Sequence, residues 1–565
     1  MGKSLTASIA ARRDLLRARF PVWRSHTLSE WLDWCAAQYG ERPFVLTDDA
    51  ELSYVAVAAE SRRLADGLAA LGVRAGDRVG MVMANYPEFA TVKFAIARVG
   101  AIAVPVNFFY QQDELRFVLN DAGCRVLVTM TGFRGLDYQS MLDDIMPGWD
   151  SPRSGFALDV VLLDNDGRAR RGCLTVPGLG ELGNENRGAA DDLAAHPTDP
   201  GDMLYTSGTT GSPKGVLVTH DAVLRTAYAS ALTRAYEDGR RILFSLPCYH
   251  MFGYIEGLLS AMFAGGAVVL QPTFSPEGYF AGVDRHRASD ILCVPTMAVA
   301  LVESAARRDY DLTSLRAMLC GSAPAPIWLW RNVEDRLGVS EIVTGYGMTE
   351  CGGAMTLTRP EDPLELTAET AGKAKMAGAA SIPGTDALVH YATVHPETHK
   401  DLPPGEEGEL VSSGPTVMLG YWNRPQETAA TLRQGRLFSG DLGRVRADGY
   451  LQVTGRSREL YKSGGELVMP KEIEDLLASH DEISQAFAVG MVDDRWGEAG
   501  WVVVVPAPDA TITENDVLDL CRDNLARFKV PKRVVFYRAE DLPLTPTGKV
   551  RKHKLIEQLS SVINR

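Results

Sequence analysis

Apolar positions along this chain switch repeatedly between two spacings. Leu28, Trp31, Leu32 and Cys35 recur at helical intervals, and residues 1–50 read as helical in flavour. From Val55 to Leu71 an Ala-rich helix places Leu64, Leu68 and Leu71 on one face, with Gly72 as its cap. Arg78 to Met83, Ala101 to Val106, Val126 to Met130 and Val160 to Leu163 are short apolar runs that predict buried strands. Helical stretches such as Pro87 to Val99 lie between several of them. That alternation predicts parallel sheets with helices on their faces.

Residues 164–200 are polar and Gly-rich and read as a surface excursion. The strand pattern then resumes at Ile242–Leu246, Ala267–Leu270, Asp290–Val294 and Leu315–Cys320. Most of these runs end in or close to Gly or Pro, so their carboxyl ends are expected to open into one crevice, where open α/β sheets bind ligands. From about Ala387 the texture becomes short β-rich segments with turns at Pro403-Pro404-Gly405 and Ala447-Asp448-Gly449. Past Gly455 a smaller unit is predicted. Its helices lie near residues 471–478 and 514–526, around strands such as 485–489 and 500–505.

Length and charge narrow the reading. A chain of 565 residues is too long for one ordinary core, and 45% hydrophobic with 23% charged residues fits a soluble globular protein. A net charge of −14 argues against nucleic acid as a main partner. The eight cysteines are scattered, with no C-x-x-C pair, which predicts reduced thiols in a cytoplasmic protein and no structural zinc. No apolar run reaches the ~18–20 residues of a membrane span. Arg12, Arg13, Arg17 and Arg19 leave no signal-peptide core, and the chain does not end in Ser-Lys-Leu.

The richest chemistry lies in Tyr205–His220, YTSGTTGSPKGVLVTH. Three glycines, five hydroxyl side chains and Lys214 fall between Thr206 and Gly215, the ingredients of a phosphate cradle. The spacing is not that of a Walker A loop. The unbroken run from Thr206 to Gly215 resembles the signature loop of adenylate-forming enzymes, the superfamily of acyl-CoA synthetases, peptide-synthetase adenylation domains and luciferases. That resemblance implies nucleotide binding by Thr206, Ser207, Gly208, Thr209 and Thr210, with Lys214 in catalysis.

Later motifs agree in order. Pro247-Cys-Tyr-His250 with Gly253 resembles the aromatic-His segment that lines the acyl pocket and orders the carboxylate, with Tyr249 and His250 as its side chains. Cys320-Gly321-Ser322-Ala323-Pro324 resembles the loop whose backbone lies along adenine and the acyl chain. Gly345-Tyr346-Gly347-Met-Thr349-Glu350 supplies an aromatic face for adenine, a hydroxyl near the α-phosphate and a carboxylate suited to Mg²⁺. By the same resemblance Asp441 accepts bonds from both ribose hydroxyls and Arg456 completes the nucleotide site. Arg458-Glu459 corresponds to a hinge. Lys462-Ser463-Gly464-Gly465-Glu466 corresponds to a loop used in thioesterification. Lys549, in Pro546-Thr-Gly-Lys549, bridges the acyl carboxylate and the α-phosphate.

The resemblance covers roughly residues 25–560 and implies an α/β fold. A large N-terminal domain, residues 1–455, carries parallel α/β sheets plus a small β-barrel-like subdomain. A hinge at 456–459 leads to a mobile α+β C-terminal domain, 460–565. The implied substrates are ATP with Mg²⁺, a carboxylic acid or its acyl-AMP, and coenzyme A, and a homodimer is compatible with the resemblance. Small residues at Cys320, Gly321, Ser322, Cys351, Gly352, Gly353 and Ala354 are expected to leave room for a bulky apolar acid. No well-placed Asp in 244–257 is there to receive an amino group. One stretch departs from the pattern: residues 374–382 are inserted between Gly372-Lys373 and Pro383-Gly384. It reads as a longer surface loop, or as an element that impairs triphosphate binding and leaves only thioesterification of a supplied acyl-AMP. A non-catalytic acyl- or nucleotide-binding protein is the third reading. Retention of Lys214, Glu350, Asp441, Arg456 and Lys549 argues against it. A Ser-His-Asp hydrolase lacks its nucleophile elbow.

Overall fold

The buried runs of the sequence assemble into two seven-stranded sheets. In a computed structural model, residues 7–150, 158–206, 213–322, 325–456, 459–463, 466–493, 497–525, 527–545 and 548–563 are described. One sheet runs Glu341–Val343, Ala317–Cys320, Asp290–Cys293, Arg241–Phe244, Ala267–Leu270, Pro43–Leu46, parallel throughout, with Glu51–Ser53 antiparallel at its edge. The other runs Asp159–Leu163, Cys124–Met130, Arg78–Val82, Ile102–Pro105 and Pro200–Thr206 in parallel. Lys214–Thr219 and Gly420–Tyr421 then add on antiparallel. Strands such as Ile102–Pro105 and Ala267–Leu270 are buried at every position, as continuous apolar runs in parallel sheets demand.

The first helices follow their sequence signals closely. Leu28–Tyr39 is closed at its start by a reciprocal pair of bonds between Thr27 and Glu30, and it buries Leu28, Trp31, Leu32 and Cys35. Tyr54–Ala70 starts at Ser53 and is followed by Gly72 in the left-handed region, φ 85°.

Two expectations are corrected. Residues 164–200 are not merely a surface excursion, because they contain the helix Val176–Glu185, which packs on Tyr54–Ala70. The glycines there serve contact rather than flexibility. A β-carbon on Gly67 would lie 2.2 Å from the Leu179 carbonyl oxygen, and one on Gly183 only 1.9 Å from that of Arg63. The segment 374–382 is not a surface loop either. Lys375, Ala377 and Ala380 are fully buried. The segment bonds to Arg225, Ser230 and Thr233 of the helix His220–Thr233, and to Glu256.

A buried ionic network ties the amino ends of the first sheet together. Arg234 donates to both oxygens of Asp290 at 2.6 Å, and Arg240 reaches Asp290 at 3.1 Å and Glu341 at 3.0 Å. Arg12, from the helix Ile9–Arg19, donates to Glu341 at 2.5 Å.

After Lys373–Ala374 the chain builds a five-stranded antiparallel sheet from His390–Val394, Gly408–Ser413, Leu432–Arg433, Arg436–Val445 and Leu451–Arg456. The last hundred residues carry a further five-stranded sheet. Helices Pro470–Ala478 and Glu514–Asn524 cover one face and Lys552–Ile563 the other, forming two apolar clusters distinct from the main core. Among the described residues no helix is long and apolar enough to cross a membrane.

The close contact of Val176–Glu185 with Tyr54–Ala70 gives a direct test. Gly183→Ala forces a β-carbon into the Arg63 carbonyl and is expected to cost about 1–3 kcal/mol by overpacking, read as a lowered denaturation midpoint. An unchanged midpoint would mean the two helices do not meet this closely.

Candidate functional site

The hairpin of Pro200–Thr206 and Lys214–Thr219 sets Lys214 opposite Thr206. Ser207, Gly208, Thr209 and Thr210 lie between them, outside the described residues. The short strand Gly420–Tyr421 joins the hairpin, with Tyr421 opposite Val216 and the Trp422 amide donating to the Gly215 carbonyl. This pairing puts the Lys214 ammonium 5.1 Å from the centre of the Tyr421 ring. The Tyr421 hydroxyl in turn donates to Glu350 Oε1 at 2.9 Å. A cation, a phenol and a carboxylate therefore stand together beside the predicted phosphate loop. Tyr421 was not among the residues the sequence singled out. Its place depends on a strand pairing far along the chain, and no local spacing reports that.

Strand Gly345–Met348 pairs antiparallel with Gly353–Leu357. A β-carbon on Gly345 would meet the Thr356 carbonyl oxygen at 2.2 Å, and one on Gly347 would meet that of Gly353 at 2.3 Å. Both positions need glycine for backbone contact. Between them the Tyr346 hydroxyl donates to Asp441 Oδ2 at 2.5 Å, which fixes the ring against the carboxylate. Ser439 holds Asp441 from behind, its Oγ accepting from the Asp441 amide at 3.0 Å and donating to the Leu410 carbonyl at 2.7 Å. Asp441 pairs with Arg456 in the strand ladder, although the Arg456 side chain is not described. Thr349 and Glu350 are buried, and Cys351 Sγ lies 3.1 Å from Ser412 Oγ.

On the acyl side, His250 follows the strand Arg241–Phe244 and precedes a π-helix, Phe252–Leu259, a form often found at functional sites. His250 Nδ1 accepts from the Phe252 amide at 3.2 Å, so the proton of the neutral ring sits on Nε2. Burial, reinforced by the nearby Lys549 ammonium, lowers its pKa to about 4. Gly253 is pressed against the Leu246 carbonyl, where a β-carbon would lie at 2.5 Å. Tyr249 is buried, edge-on to Phe108 at 5.0 Å. Cys320 and Gly321 end the strand Ala317–Cys320, and a β-carbon on Gly321 would lie 3.3 Å from the Phe252 ring. Ser322 has a φ of 76°, unusual for a residue with a β-carbon, and Ala323 and Pro324 lie outside the described residues.

The expectation that small residues open an acyl space is corrected at two positions. Beside Gly352 a β-carbon would meet the Thr416 carbonyl oxygen at 2.9 Å, and beside Gly353 it would meet Ile255 at 3.2 Å. These glycines admit protein atoms, so they do not set the size of a pocket.

The C-terminal unit reaches the same place. The turn at Thr545–Val550 is closed by the Lys549 amide donating to Thr545 Oγ1 at 2.9 Å. Gly548, φ 75°, packs so tightly on Val294 that a β-carbon would lie 2.6 Å from its methyl carbon. Lys549 thereby comes close enough to His250 to influence its protonation. Ser463 is buried in a hairpin with Glu466–Val468, while Gly464, Gly465 and the side chains of Lys462 and Glu466 are not described. Arg458 is outside the described residues, and Glu459 accepts from Lys552 at 2.8 Å.

Comparison with known proteins agrees with this geometry. A family model described as "AMP-binding enzyme" matches residues 32–422, and one described as "AMP-binding enzyme C-terminal domain" matches 472–549. The feruloyl-CoA synthase of an Amycolatopsis species is 35% identical over 505 residues, 89% of this chain and 92% of that protein. The indoleacetate–CoA ligase of Aromatoleum aromaticum is 34% identical over 528 residues, 93% and 96% of the two chains. The solved o-succinylbenzoate CoA synthetase of Bacillus subtilis, in complex with its acyl-adenylate intermediate, superposes with a TM-score of 0.75 at 27% identity, covering 93% and 97%.

A depressed histidine pKa has a definite sign. The unfolded chain takes up the proton near pH 6.5 and the folded one only near 4, so His250 stabilises the fold above about pH 6.5 and that stability is lost as pH falls towards 4. The loss is expected to total roughly 3 kcal/mol. His250→Gln should flatten the stability–pH curve in that window, measured by denaturant titration. An unchanged slope would place His250 in an ordinary solvated setting.

Proposed function

This chain belongs to the AMP-binding enzyme family, and from that premise we propose that it joins an aryl or similarly bulky apolar acid to coenzyme A, with the C-terminal unit changing place between two half-reactions. It is an AMP-forming acid–thiol ligase acting through an acyl-adenylate. The observation that carries the finer reading is the seating of Gly548, next to Lys549, on Val294 in a fold that also gathers Lys214, Tyr421 and Glu350.

In the first half-reaction a carboxylate oxygen attacks the α-phosphorus of ATP, and the bond to pyrophosphate breaks. Two negatively charged reactants must be brought together, so most of the work is charge neutralisation and alignment. Neutral His250 offers its Nε2 proton to one carboxylate oxygen. Lys549 supplies a cation between that carboxylate and the α-phosphate. Lys214 faces the β and γ phosphates, while Tyr346 and Asp441 hold adenine and ribose. Among the described residues no three His, Cys, Asp or Glu side chains form a metal cluster. Glu350 is the carboxylate of this group suited to a Mg²⁺. Glu350 would hold the ion there, and the ion would supply positive charge against the triphosphate. In the second half-reaction the CoA sulfur attacks the acyl carbonyl and AMP leaves. Lys549 must withdraw for the thiol to enter, and the hinge at 456–459 is the assigned pivot between domains 1–455 and 460–565.

Three features support an uncharged ring acid. The named substrates of the feruloyl and indoleacetate ligases are aryl acids. The helix that follows His250 carries one charged side chain in eight residues. Its one acid, Glu256, is already committed to Lys375 at 2.6 Å, so it does not receive a substrate amine.

Acid-dependent ATP–pyrophosphate exchange over fatty, aryl and fused-ring acids is expected to be strongest with a ring acid. Exchange confined to short aliphatic acids would refute the substrate class. Lys549→Ala should lower exchange by about 100-fold or more, yet lower thioester formation from supplied acyl-AMP by less than about fivefold. Equal losses in both would remove the separate role of Lys549.

A further inference from the structure

The inserted segment touches the acyl side of the site through one buried side chain. Lys375 Nζ donates to Glu256 Oε1 at 2.6 Å and to Ser230 Oγ at 2.6 Å. Both charged side chains are essentially inaccessible, at 0% and 1% exposure. Glu256 lies on the π-helix Phe252–Leu259, which starts immediately after His250. The same helix presses Phe252 on Gly321 and Ile255 on Gly353, so it separates the loop that ends Ala317–Cys320 from the strand that follows Glu350.

That helix has two polar tethers. Near its start the Tyr254 hydroxyl donates to Asp202, which also pairs with Lys93. One residue past Ile255, Glu256 is tied to Lys375. The first tether comes from the body of the sheet and the second from the insertion. A π-helix is a strained register that reverts towards α unless its surroundings hold it. Removing Lys375 leaves Glu256 as an unpaired buried carboxylate, and the helix must then shift to solvate it.

We propose that Lys375 is a positioning residue for acid selection. Acting through Glu256, it fixes the register of the Phe252–Leu259 helix and thereby the shape offered to the acyl group. This rests on the ligase reading and on the acyl side lying at His250. The insertion, on this view, tunes which acid is accepted and leaves nucleotide binding alone. Its side-chain bonds run to the helix His220–Thr233 and to Glu256, while the Lys375 amide donates to the Met355 carbonyl and so continues the strand pair with Gly353–Leu357.

The test uses the full chain and non-hydrolysable acyl-sulfamoyl-adenosines carrying feruloyl, benzoyl and decanoyl groups, with AMP as the reference, by titration calorimetry. Lys375→Met should leave AMP affinity within about twofold while the advantage of the best acyl analogue over AMP falls about tenfold, or the ranking of the three groups changes. Lys375→Arg should keep both. The pair Glu256→Leu with Lys375→Met removes both charges and stays folded where the single variant does not, and it should show the same altered acyl ranking. If every folded variant keeps the wild-type advantage and ranking, the proposal is overturned, and the pair is merely structural. If the unmodified protein binds no acyl analogue more tightly than AMP, the ligase reading itself fails, and this inference fails with it.

Discussion

The structure depends most heavily on the carboxylate of Asp290. It sits at the amino end of a central strand, fully buried, and two arginines cover it. Arg234 closes the helix His220–Thr233, and Arg240 opens the next strand and carries the network on to Glu341 and Arg12. An ion pair this deep contributes little net stability compared with an apolar replacement, but losing one partner leaves an uncompensated charge. Its value is in fixing where the strands start. With Asp290 and Glu341 pinned, the opposite ends of neighbouring strands are pinned too, and those ends deliver Val294, Cys320-Gly321 and Tyr346 to the site. The catalytic edge is positioned by charges at the other edge.

The same network continues towards the acyl helix. Arg234 donates to the Tyr236 hydroxyl at 2.6 Å, Tyr236 meets Ser260 Oγ at 3.2 Å, and Ser260 bonds the Glu256 carbonyl at 2.6 Å. Lys375 then binds the Glu256 side chain. The π-helix is thus held at its far end through backbone and side chain alike. A buried polar chain in which each member has a partner favours one register over its neighbours. That is the property the helix needs for the acid selection proposed for it.

Most of the sheet was legible because a parallel strand buried on both faces must be apolar throughout, and Arg78–Val82 or Ala267–Leu270 announce themselves that way. The nucleotide motif was legible for a different reason. Gly345 and Gly347 are backbone contacts that no other residue satisfies, so composition and geometry coincide there. Where they part, the reading missed. Gly183 looks like flexibility in sequence but is a helix contact, so the helix Val176–Glu185 was read as surface. Lys375 stands among alanines and glycines, and a lysine in such company reads as solvated. Its burial depends on Glu256, which lies far along the chain. Tyr421 belongs to the same class: its role exists only because Gly420–Tyr421 pairs with the phosphate hairpin.

The contacts that dock the C-terminal unit bear on how it could leave. Gly548 seated on Val294 is a small apolar contact, and Lys549 near His250 pays for its place by lowering the histidine's affinity for protons. Two cations close together repel, so His250 must stay neutral while Lys549 is present, and the depressed pKa ensures it. On the proposed mechanism, once the carboxylate becomes a neutral acyl group and pyrophosphate departs, only the single charge of the adenylate phosphate remains to attract Lys549. The ammonium then faces a buried imidazole and an AMP phosphate with fewer anions to hold it. Lys552, by contrast, binds Glu459, in the segment proposed as the hinge, and Glu474 on the helix Pro470–Ala478. Glu474 and Lys552 both belong to the smaller unit, so this bridge braces the chain just past the pivot without clamping the two units to each other. On the proposed mechanism the first step would weaken the docking contact and leave the brace intact, which is the order of events that the proposed change of place requires.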